Sequence, residues 1–173
     1  VSALDVAKVA GLMFVAALFQ SSIFGAFEVA GGTADLVLVT VAAVALLRGS
    51  IYGAGAGFFA GLVLDTANLA TLGQTSFLLT IAGYWIGRYG ETTGRDRSHA
   101  PLLSVAVITI LYALASLALH VVLGEPVQAR VVLADALLPA VLLNLLLTVP
   151  VYALTKRILG PREWRHAEVR LLG

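Results

Sequence analysis

Six apolar blocks separated by short polar breaks account for almost the whole chain, and this segmentation limits the folds open to it more than any single residue does. In hydrocarbon every backbone N–H and C=O must be satisfied within the protein, so apolar blocks of this kind form helices. The spans fall at 6–27, 35–47, 51–65, 74–87, 102–123 and 132–155, followed by a short polar and basic tail at 160–173. With 60% hydrophobic residues, 12% charged residues and a mean hydropathy of +0.96, the chain lies outside the balance of a soluble globular domain. The expected fold is an all-α integral membrane protein of six transmembrane helices. At 173 residues such a bundle uses up the sequence, so function belongs to the bilayer or its surfaces. Blocks two to four are short, since about 14 helical residues cover only about 21 Å.

Lys and Arg set the orientation because they are retained on the cytoplasmic side of short loops. Six spans with both ends inside place every one of the eleven basic residues except Arg130 in the cytoplasm, and gather Glu28, Asp35, Asp65 and Glu125 outside. A five-span rival fuses the second and third blocks into one helix. It would put Arg48 near the bilayer centre, at a cost of at least about 2.5 kcal/mol, whereas a tight turn at 48–50 exposes it cheaply. The expected topology is therefore multi-pass with cytoplasmic N- and C-termini. The first block, with a single lysine and no small-residue cleavage site, reads as a retained helix and not a signal peptide.

Inside the third block, Gly49, Gly53, Gly57 and Gly61 recur every fourth residue and are closed by Asp65. The stripe lets another helix bring its backbone close, gaining contacts that lipid cannot match. It serves either to pack helices of the same chain or, together with Phe58, to receive the helix of a partner. It is no phosphate loop, lacking the preceding strand and the following Lys-Ser/Thr.

No catalytic constellation emerges. The chain has no cysteine, and His99, His120 and His166 are too scattered to share a metal, so neither a metal nor a cofactor is expected. The polar positions at membrane depth are Gln20, Asp35, Asp65, Asn68, Asp135 and Asn144. Ionisable groups there suggest a pathway or binding site, although Asp65 and Asp135 lie near helix ends where structural roles are equally natural. Asp65 and Asn68 would share a face if the third helix continued through them. Pro139 and Pro150 are expected to kink the sixth helix.

The order Asp35-Leu36-Val37-Leu38, then Gly57-Phe58-Phe59-Ala60-Gly61-Leu62-Val63-Leu64-Asp65, then Leu72-Gly73 and Gly83-Tyr84 resembles the rod shape-determining protein MreD family. Ala34 stands where that family usually has proline. The resemblance implies a non-enzymatic subunit of the bacterial elongation machinery, in the inner membrane. It would bind the bitopic protein MreC and work beside RodA, a class B penicillin-binding protein and, indirectly, the MreB filament. It also implies a bundle resembling the substrate-binding subunits of energy-coupling-factor transporters. A vitamin-capturing subunit of that kind is the alternative function, with Asp65, Asn68, Asp135, Asn144 and Tyr112 as the polar groups available to it. In the basic tail, Arg157, Arg162, Arg165 and Arg170 beside Trp164 form either an interfacial anchor or a cytoplasmic docking surface.

Overall fold

A computed structural model describes residues 3–23, 28–29, 32–69, 71–93, 99–124 and 130–160. Among these residues are six α-helices: α1 (Ala3–Ser22), α2 (Leu36–Arg48), α3 (Ser50–Ala67), α4 (Gln74–Thr93), α5 (Ala100–Val122) and α6 (Leu137–Leu159). Of these, α1, α5 and α6 are long and apolar enough to cross a membrane. Between α1 and α2 runs a minimal antiparallel hairpin, β1 (Glu28–Val29) and β2 (Gly32–Thr33). The first helix therefore stops five residues before the end of its apolar block. Its last turn is held by Gln20, which donates to the Ala34 carbonyl at 3.1 Å and accepts from the Leu36 amide at 2.7 Å.

The centre of the bundle is α2. All its residues from Val37 to Leu46 are buried, which explains a sequence that is apolar all round and only 13 residues long. The helix is short because the protein wraps it: α1, α3, α4, α5 and α6 all pack against it. Asp35 caps its first turn, accepting from the Leu38 amide at 2.8 Å. At its other end the chain breaks at Gly49, whose φ of +98° favours glycine, and Ser50 begins α3 at once. The second and third blocks are thus two helices joined by one residue.

Arg48, expected in an exposed turn, is buried instead. Its guanidinium donates to Asp5 Oδ1 at 3.2 Å and to the Leu159 carbonyl, tying the start of α1 and the end of α6 to the end of α2. The cation also sits against the last carbonyl of α6, where the helix macrodipole favours it. These contacts place both described ends of the chain at one end of the bundle. Ser50 and Glu91 meet at that end too, while Asp35, Asp65 and Asn144 lie at the other. Successive helices alternate in direction.

The sixth helix is entered through a π-helical segment, Val131–Ala136. Pro139 follows directly; it has no N–H to give the Asp135 carbonyl, so α-helical pairing cannot extend back through this point. Falling in the first turn of α6, Pro139 does not interrupt that helix, whereas Pro150 lies inside it.

Candidate functional site

The glycine stripe is occupied. A Cβ on Gly57 would collide with the Leu79 carbonyl, one on Gly61 with the Ser76 backbone, and one on Gly53 with the Gly83 carbonyl, so α3 and α4 touch backbone to backbone along their length. Gly87 continues the ladder against Gly49 and Ser50. The face expected to receive a partner helix at Gly53, Gly57 and Gly61 is therefore filled by the fourth helix of the same chain. Phe58 points the other way and is 54% exposed. Its carbonyl accepts from Ser76 Oγ at 2.9 Å, one more bond across the pair.

Carboxylates lock both ends of this hairpin. Asp65, 1% exposed, accepts from the amides of Gly73, Thr75 and Ser76 at 2.8, 3.2 and 3.4 Å, so the end of α3 caps the start of α4. Reciprocally, Glu91 near the end of α4 accepts from the Ser50 amide at 2.8 Å and from its hydroxyl, capping α3. The Ser50 amide, with its hydroxyl and Arg88 assisting, holds the Glu91 carboxyl below its ordinary range. Each cap satisfies N–H groups that a helix start leaves unpaired. Of the residues that carry the family resemblance, Gly57, Gly61, Asp65, Gly73 and Gly83 belong to this hairpin, while Asp35 to Leu38 form the start of α2.

A second polar cluster joins three helices at the opposite end from Arg48. The Asn144 carboxamide oxygen accepts from the Asp35 amide at 2.7 Å, and its nitrogen donates to Thr109 Oγ1 at 3.1 Å. Beside this link opens a cleft of about 280 Å³ between α2, α5 and α6. Thr109, Tyr112, Ser116 and His120, spaced three and four apart on one face of α5, line it together with Asp35 and Asn144.

Of the polar positions singled out in the sequence, Gln20, Asp35 and Asn144 come together at the entrance to α2. Asp65 is separate, serving the hairpin. Asn68 is the exposed C-cap of α3 and does not share the inward face of Asp65, because the helix ends there. Asp135 is exposed in the π-helical segment. Arg157 is exposed at the end of α6, and Arg162, Arg165 and Arg170 lie outside the described residues. Sequence reasoning missed Glu91, hidden in a charged run, and the small residues of α4. It also missed the polar stripe of α5, whose spacing was the available signal. Among the described residues no three His, Cys, Asp or Glu side chains cluster to hold a metal.

Comparison with known families finds that residues 6–158 match the model of the rod shape-determining protein MreD. No curated protein and no solved structure matches the chain, so the expected likeness to energy-coupling-factor subunits is without support.

Proposed function

The chain belongs to the MreD family of rod shape-determining proteins, and on that premise we propose that it is a non-enzymatic scaffold of a bacterial cell-elongation complex. The family is one of inner-membrane, shape-determining proteins, and the observation that carries the reading is a match spanning the whole helical bundle. In this reading the protein has cytoplasmic termini and binds an MreC-like bitopic protein. It helps to organise RodA and a class B penicillin-binding protein, and is linked indirectly to the MreB filament. Family membership favours this over vitamin capture.

Because α4 fills the glycine stripe, the partner helix needs another seat. The groove between α1 and α3 suits it: about 270 Å³, almost wholly apolar, and lined by Val6, Ala10, Met13, Ile51, Gly55 and Phe59. A Cβ on Gly55 would meet nothing, so the backbone there is open to a helix from outside. Substituting Gly55→Leu should leave insertion and thermal stability intact and reduce recovery of the bitopic partner on affinity purification about tenfold. Wild-type recovery from Gly55→Leu at equal expression would remove this groove from the proposal.

A further inference from the structure

The cleft beside Asp35 has no part in the scaffold reading, yet its wall is unusual for a protein in lipid. Seven polar side chains line it: Thr33 at its edge, and Asp35, Thr109, Tyr112, Ser116, His120 and Asn144. Polar groups gathered inside a membrane bundle mark a water-filled or ligand-filled space. The two carboxylates at this end of the molecule differ in a telling way. Asp65 is buried, its oxygens taken by three amides; Asp35 is half-buried, bonds at its own helix start, and borders the cleft. The ion pairs Arg48–Asp5 and Arg88–Glu91 lie at the other end, and among the described residues no Lys or Arg lines the cleft. The Tyr112 hydroxyl has no hydrogen bond among the described residues, and its ring forms part of the same wall.

We propose that this cleft binds a primary ammonium group seated between the Asp35 carboxylate and the Tyr112 ring, carried by the ethanolamine headgroup of a lipid or by a free small amine. A carboxylate without a cationic partner on a low-dielectric wall attracts a cation, and an aromatic ring beside it adds cation–π attraction. The ammonium has three N–H donors, and the carboxylate and the Ser116 hydroxyl supply acceptors. The volume suits a headgroup, being smaller than the pockets that take drug-sized ligands.

Native mass spectrometry of the full purified chain, titrated with phosphatidylethanolamine, phosphatidylglycerol or ethanolamine, tests this. Phosphatidylethanolamine should bind at least about tenfold more tightly than phosphatidylglycerol, and Asp35→Asn, which keeps the helix cap, should abolish that preference. Ala113→Phe, which fills the cleft without replacing any of its polar groups, should abolish it as well. Competition by ethanolamine identifies the ammonium group alone as sufficient; binding of the lipid without such competition identifies the membrane as the source. Equal binding of the two lipids, binding of none of the three, or a preference that survives both substitutions overturns the proposal.

Discussion

At the scale of single residues, the two capping carboxylates show how differently a side chain can announce its role. Asp65 stands out in the sequence as an acid closing an apolar block, and a binding role was open to it; in the structure its charge is absorbed by three amides of the next helix. Glu91 does the same for α3, yet nothing in the surrounding run of charges and threonines distinguishes it, because its partner Ser50 is 41 residues away. Its carboxyl is held below the ordinary value of 4.5, chiefly by the Ser50 amide. A depressed value in the folded state means that the cap contributes fully above the ordinary value, and that its contribution is lost as pH falls through the depressed one. The melting temperature of the wild type should therefore drop on acidification through that window. Glu91→Gln should remove that part of the profile, while costing roughly 1 kcal/mol or less at neutral pH. Superimposable pH profiles of the two proteins would exclude Glu91 as the titrating cap.

Among the helices, the pair α3–α4 is the most closely joined, and the sequence showed half of it. The four-residue glycine period is visible in α3 because one residue type repeats; its counterpart in α4 mixes Ser76, Thr80, Gly83 and Gly87, so no single-residue pattern reveals it. Whether the stripe served this chain or a partner was open for the same reason. The centre of α2 was legible as an apolar run, but its shortness was explained only by the helices around it. Backbone contact in the ladder leaves no space for a methyl group at Gly53 or Gly57. Gly57→Ala should thus force the two helices apart and cost about 1–3 kcal/mol of stability, with Gly53→Ala similar. Gly55, two residues away on the open side, provides the control: Gly55→Ala should be neutral or slightly stabilising. Thermal unfolding of the three variants in one detergent checks the ladder, and equal stability of all three would contradict it.

For the whole molecule, the charge asymmetry of the sequence and the geometry of the bundle are independent and agree on one division. Arg48, Arg88, Lys156 and Arg157 fall at the end where Arg48 bridges Asp5 and Leu159, and the acids Asp35 and Asp65 fall at the other. The Lys and Arg count alone could not say that the buried Arg48 fastens α1, α2 and α6 together; that depends on contacts spanning up to 111 residues. In the proposed topology, retention of basic residues on the cytoplasmic side puts the Arg48 end inside and the cleft beside Asp35 outside. The absence of cysteine from the chain makes this directly measurable, since any introduced thiol is the sole target for a membrane-impermeant maleimide. Asn68→Cys, at the exposed end of α3, should label in intact spheroplasts, and Lys156→Cys, exposed near the end of α6, only after the membrane is permeabilised. Labelling of Lys156→Cys in intact cells would invert the orientation and move the cleft to the cytoplasmic leaflet. Labelling of both would break the alternation of helices on which the two-ended division rests.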